Sequence, residues 1–133
     1  RPPEADTDFL SMTRDFTDAS PYPPASTEST LQRRELLPRA LGAFRAFSAC
    51  VFADGALPGK TKQLIAVAAA HVSQCPYCIR GYTELAVKAG ASGEEIMEAI
   101  WVAAEMRAGA AYAHSALAVD TLLHTHTHGT TSV

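Results

Sequence analysis

The sequence predicts an all-α protein, a single helical domain of the bundle type. Three observations lead there. From Thr30 onward apolar residues recur at i, i+3 and i+4 spacing, which puts them on one face of an α-helix. Proline, glycine and a capping box punctuate that pattern at intervals suited to helices. No segment carries the apolar–polar alternation of a strand. The 133 residues fit one domain and are enough to bury a core.

The elements follow in order. Residues 1–30 carry Pro2, Pro3, Pro21, Pro23 and Pro24 among Asp, Ser and Thr. Prolines at that density block helices and sheet ladders, so an N-terminal arm is expected, with one helical turn near Asp8–Asp15. Such an arm is either disordered or laid over a neighbouring subunit. Leu37, Leu41, Phe44, Phe47, Ser48 and Val51 then predict an amphipathic helix over Pro38–Ala53, ended by the turn signal Asp54-Gly55. Pro58 suits the first turn of the next helix, Lys60–Val72, which holds Leu64, Ile65, Val67, Ala68 and His71 on a broad apolar face. Pro76 cannot continue that helix, because its ring would meet the carbonyl of Val72. A new helix therefore starts at the cysteines and runs to about Ala89, with Gly90 as its stop. Ser92 and Glu95 form a capping box that opens a helix through Ile96, Ile100, Val102 and Ala103. Ala108-Gly109 is a candidate break before a last helix through Tyr112, Ala116 and Leu123.

The helical domain thus spans 31–123. Residues 124–133, with His124, His126 and His128 alternating, are expected to be a flexible His/Thr tail rather than a metal site. Trp101 is assigned to the core, and Cys50, between Ala49 and Val51, to a buried apolar position. Arg80, Glu84 and Lys88 stand at i, i+4 spacing, as in a solvated ion-pair ladder.

Composition excludes several functions. A net charge of -3, with eleven basic residues scattered along the chain, is unsuited to tracking phosphates, so nucleic acid is not an expected partner. No apolar run approaches the roughly 20 residues that span a bilayer. No membrane partner is expected. Three cysteines, two of them in one C-x-x-C, make no secreted disulfide framework and suit the reducing cytoplasm. The helices are rich in alanine, which buries little area per residue, so the protomer is expected to leave apolar faces for self-association.

The chemistry centres on Cys75-Pro76-Tyr77-Cys78. A thiol attacks as thiolate, and a free cysteine with pKa ~8.5 is mostly protonated at neutral pH. Unpaired N–H groups and the macrodipole at a helix start favour the anion. Cys75 at the N-cap, Pro76 at the first helical position and Cys78 at the third would place both sulfurs in that field, close enough to pair. Half of a zinc site is the structural alternative. No second C-x-x-C or Cys/His pair at finger spacing follows to complete it, so no metal or cofactor is expected.

Around that dithiol the stretches Leu57–Ala66, His71–Ile79, Ala86–Ala91, Glu94–Val102 and Arg107–His114 resemble AhpD-type alkylhydroperoxidases of the carboxymuconolactone decarboxylase family. The likeness covers about Leu37 to Val119. It implies an AhpD-like helical bundle assembled as a trimer or hexamer. The implied activity is reduction of a hydroperoxide or disulfide substrate, with electrons returned by a protein or small-thiol reductant. By resemblance Cys78 is the attacking thiol and Cys75 the resolving one, a choice that spacing leaves open.

Two positions depart from the family pattern. Its Glu, twelve residues before the first Cys, is Gln63 here, and its His, four residues after the second, is Tyr82. An amide cannot take a proton, and a phenol with pKa ~10 is a poor base at pH 7. His71, at the end of the preceding helix, and His114, on the last helix, are the candidate replacements. The expected function is a thiol-dependent peroxidase or disulfide oxidoreductase. A cofactor-free lyase and a diverged binding or scaffolding oligomer are the alternatives.

Overall fold

The computed structural model describes Tyr22 and residues 26–127, with the backbone alone for His126 and Thr127. The chain divides into two compact units after Gly42. The helical turn expected near Asp8–Asp15 lies outside the described residues, as do residues 128–133.

Five helices make up the described structure, and no strand occurs among the described residues. The first, α1, spans Thr27–Leu36. The Ser26 hydroxyl caps it by accepting from the Ser29 N–H at 3.1 Å, and Glu28 in its first turn and Arg33 and Arg34 in its last suit the macrodipole. The last residues of the expected arm, Thr27 to Thr30, are therefore helical, because the proline run ends at Pro24 and Ser26 supplies a cap.

Helix α2 spans Pro38–Phe52 and buries none of its residues. Phe44, Phe47 and Val51 face solvent. Cys50 is likewise exposed and free, which corrects its expected burial: apolar neighbours in sequence, Ala49 and Val51, do not cover it, and both are themselves exposed. The turn after α2 is tied from both sides. The Lys62 ammonium donates to the carbonyls of Val51 (2.8 Å) and Ala53 (2.5 Å), satisfying groups that a helix end leaves orphaned. The Asp54 carboxylate accepts from the Gly59 N–H at 2.6 Å, at the start of the next helix.

That helix, α3, spans Gly59–Ser73, and α4 spans Pro76–Lys88. The end of α4 is a Schellman motif. The Gly90 N–H donates to Val87 O (3.0 Å) and the Ala91 N–H to Ala86 O (2.9 Å), with Gly90 at φ 92°, where a side chain would strain the backbone. Ala91 and Ala86 also meet in the core, the apolar contact that accompanies this motif. The capping box forms as the sequence predicts. The Ser92 N–H donates to Glu95 Oε2 (2.8 Å) and the Glu95 N–H to Ser92 Oγ (3.1 Å).

Helix α5 then runs unbroken over Gly93–Thr127. The break expected at Ala108-Gly109 is absent. An interior glycine costs only about 0.5–1 kcal/mol relative to alanine and keeps its N–H, so the alanines around it carry the helix through. The expected tail is corrected in its first residues too, since the helix includes His124, whose Nδ1 lies 2.8 Å from Asp120 O and 3.3 Å from the Asp120 carboxylate.

The core lies where α3 packs against both α4 and α5. Val67 of α3 and Ala86 of α4 are fully buried, joined by Ala91 and Ile96, with Leu64, Tyr82 and Ile100 packed against them. Lys60 of α3 adds a polar tie to α5, 2.7 Å from Glu95 Oε1. That ammonium, and then the Ser92 N–H, hold the Glu95 carboxyl below its ordinary range. Trp101 is 70% exposed rather than in the core, because it falls on the side of α5 turned away from α3. Arg80, Glu84 and Lys88 project to solvent without closing the expected ion pairs, the weak kind of contact that hydration readily replaces. Among the described residues no helix is long and apolar enough to cross a membrane.

Candidate active site at the dithiol

The site is built by the junction of α3 and α4. Helix α3 ends at Ser73, and Gln74 takes the left-handed conformation (φ 55°, ψ 43°), the only non-glycine among the described residues to do so. Its N–H and that of Cys75 both turn back onto Ala70 O, the latter at 3.2 Å. The chain then reverses from the C-terminus of one helix into the N-terminus of the next within two residues.

Cys75 is the N-cap of α4, Pro76 its first residue and Cys78 its third, as the spacing predicts. The two sulfurs are bonded to each other, with the Cα atoms 5.2 Å apart. Cys75 Sγ also accepts from the Cys78 N–H at 3.2 Å, so a sulfur takes the place of the usual hydroxyl or carboxylate cap. Both cysteines are half-buried. The helix field that favours a thiolate therefore acts where a reductant or oxidant can reach the sulfurs.

The other candidates stand at different stations. His71 is on the last turn of α3, half-buried, with Nδ1 2.7 Å from the carbonyl of Val67. A carbonyl can only accept, so Nδ1 carries the proton and Nε2 is the ring's free acceptor when the imidazole is neutral. Gln63 lies two turns earlier on α3, and its Oε1 is buried without a hydrogen-bond donor from the protein. Tyr82 follows Cys78 by one turn of α4, half-buried, its ring stacked on Phe52 at a centroid distance of 5.5 Å. His114 is exposed on α5, seven residues and so about 10 Å along the helix beyond Arg107. The structure gives His114 no link to the dithiol.

Two neighbours of the site escaped the sequence reading. Phe52, at the end of α2, backs Tyr82. Arg107, on α5, reaches the side chain of Gln74: with the amide oxygen facing the guanidinium, its two terminal nitrogens donate at 2.5 and 2.8 Å. Neither partnership has a local signature, since each joins residues about 30 positions apart. Among the described residues no cluster of three or more His, Cys, Asp or Glu could hold a metal.

The model of the carboxymuconolactone decarboxylase family matches residues 38–121, well over half of the chain. The chain belongs to the carboxymuconolactone decarboxylase family. That span encloses the dithiol and every candidate residue, and it agrees with the Leu37–Val119 likeness read from the motifs. Among curated relatives, "uncharacterized protein 4 in cox locus" of Paracoccus denitrificans is 70% identical over 79 residues, 58% of this chain and 71% of that protein. An uncharacterized protein of Cupriavidus necator is 37% identical over 83 residues, 61% of this chain and 74% of its own length. Solved structures agree. A carboxymuconolactone decarboxylase family protein from Legionella pneumophila is 32% identical, with TM-score 0.57 over 76% of this chain and 81% of that one. A protein from Methanobacterium thermoautotrophicum is 35% identical, with TM-score 0.60 over 64% of this chain and 98% of that one. The family includes enzymes and, in this member, keeps a C-x-x-C at a helix start.

Proposed function

We propose that this chain is a thiol-dependent peroxidase or disulfide oxidoreductase of the cytoplasm, reducing hydroperoxides through Cys75 and Cys78. The observation that supports it most is the pairing of the two sulfurs at the N-cap and third residue of α4. In the reductive half, the Cys78 thiolate attacks the distal oxygen of a hydroperoxide. The O–O bond breaks, the alkoxide takes a proton to leave as alcohol, and Cys78 becomes a sulfenic acid. Cys75 then gives up its thiol proton and attacks that sulfur, forming the disulfide, and the displaced hydroxide takes up a proton to leave as water. A dithiol reductant returns two electrons and two protons.

A proton must leave the attacking thiol, and Gln63 and Tyr82 are poor acceptors for it. His71 is the best placed by chemistry, because its Nδ1–H is committed to Val67 and Nε2 remains to accept. General-base assistance is worth about 10²–10⁴-fold, so this substitution sets the rate rather than the kind of reaction. A binding or scaffolding role is the second reading. The exposed apolar faces of α2 and α5 favour it, as they favour a trimer or hexamer.

The test is the thiolate absorbance of Cys75 and Cys78 against pH in a Cys50→Ser background, followed by peroxide. The expected result is a midpoint below ~8.5, rapid disulfide formation, and complete loss of turnover in Cys78→Ser. Turnover that survives Cys78→Ser overturns the proposal.

A further inference from the structure

The residue that aims Cys75 is itself in an uncommon state. Gln74 sits at φ 55° directly before the N-cap cysteine. A side chain in the left-handed region is disfavoured by contact between Cβ and the carbonyl oxygen, so this position ordinarily goes to glycine or asparagine. Gln74 lacks their advantages, yet the whole reversal from α3 to α4 turns on it. Strained backbone of this kind persists where surrounding contacts over-determine it.

Such a contact is present. With the Gln74 amide oxygen turned toward it, the orientation that leaves neither group facing its like, the guanidinium of Arg107 donates to that oxygen through both terminal nitrogens, at 2.5 and 2.8 Å. A planar fork with two donors fixes direction as well as distance, which a single ammonium cannot do. Arg107 also comes from α5, a helix held to α3 through the core and the Lys60–Glu95 pair. The clamp thus references the dithiol turn to a helix anchored in the core, one turn beyond its last buried residue, Ala103, rather than to its own loop.

We propose that Arg107 is a positioning residue of the dithiol. By clamping Gln74 it holds the left-handed turn that presents Cys75 to Cys78, and so shifts the Cys75–Cys78 equilibrium toward the disulfide. The inference deepens the redox reading of this site and rests on it. Arg107 acts through Gln74 and not on the sulfurs. Its effect therefore depends on residue 74 having a side chain to clamp and a strained backbone to hold. In Gln74→Gly both are gone, and Arg107 has nothing left to position.

The experiment is a double-mutant cycle on the full chain, in the Cys50→Ser background. Arg107→Met, Arg107→Lys, Gln74→Gly and the Gln74→Gly/Arg107→Met pair are equilibrated in dithiol redox buffers, and the oxidised forms are followed by amide exchange at Cys75 and Cys78. In the Gln74 background Arg107→Met should favour the dithiol by about three- to tenfold and speed exchange at both amides by a similar factor, as for loss of a charged hydrogen-bonded clamp. Arg107→Lys should fall between. In the Gln74→Gly background Arg107→Met should change neither. Equal shifts in both backgrounds would mean that the guanidinium acts on the sulfurs by charge, and no shift would mean that it acts on nothing there. Either overturns the proposal. If the parent protein does not interconvert reversibly in the buffers, the redox reading falls, and amide exchange still decides whether the clamp exists.

Discussion

The α3–α4 junction and the distal part of α5 are made in opposite ways. Between Ala70 and Ala91 nearly every turn is held by a particular device: a left-handed Gln74 clamped from another helix, a sulfur cap at Cys75, a Schellman stop at Gly90. From Ala104 to Thr125 every residue is exposed, and yet the helix does not falter. Alanine-rich propensity is enough to continue a helix once it is nucleated on the core. It is not enough to hold two sulfurs in one geometry, which takes contacts from outside the segment. Tyr112, Val119 and Leu123, all exposed on distal α5, share one face of the helix, and in the proposed assembly that face would be covered by another copy.

The contrast can be broken most forcefully in the core. Ala86→Leu should destabilise by about 1–3 kcal/mol in urea or thermal unfolding, because Ala86 is fully buried between α4 and α3 and extra methylenes have nowhere to go. Ala111→Leu, in the open part of α5, should stay within about 0.5 kcal/mol. A comparable loss there would mean that this part of α5 is covered in solution. The two glycines should then respond with opposite signs. Gly90→Ala should cost about 1 kcal/mol, since no atom crowds the added Cβ but the φ of 92° strains it. Gly109→Ala should stabilise by about 0.5–1 kcal/mol, because its Cβ would meet Glu105 Oε1 at an ordinary 3.7 Å in a regular helix.

The smallest effect is electrostatic. Lys60 and the Ser92 N–H lower the titration of Glu95 in the folded protein relative to the unfolded chain. The resulting stabilisation is complete above the ordinary carboxylate range and is lost as pH falls through the folded value. The thermal midpoint of the parent should therefore exceed that of Glu95→Gln near neutrality, converge with it in acid, and do so at neutral pH in about 1 M salt. A difference that grew in acid would contradict the pairing.

Much of this was legible in the residues. The α2, α3 and α4 boundaries lie within a residue or two of those read from Pro38, Pro58, Pro76 and Gly90. The capping box at Ser92 and Glu95 forms, and the Cys75 and Cys78 stations on α4 follow from Pro76. These signals act within one turn, through hydrogen bonds or excluded volumes that span five residues or fewer, so the local sequence contains both partners. Ala108-Gly109 does not interrupt α5, because the weak local penalty of a glycine is outweighed by the alanines around it.

What the tertiary structure alone decided concerns partners and faces. It buries Val67 and leaves Val72 and Trp101 exposed, although all three are apolar residues on helices. It sets Phe52 against Tyr82 and sends Arg107 to Gln74. Helical periodicity places residues on faces, but where two helices cross determines which face is covered, and that crossing is set jointly by side chains from α3, α4 and α5. The dithiol turn belongs to both accounts: its residues are written consecutively, and the guanidinium that steadies it arrives from 33 positions away.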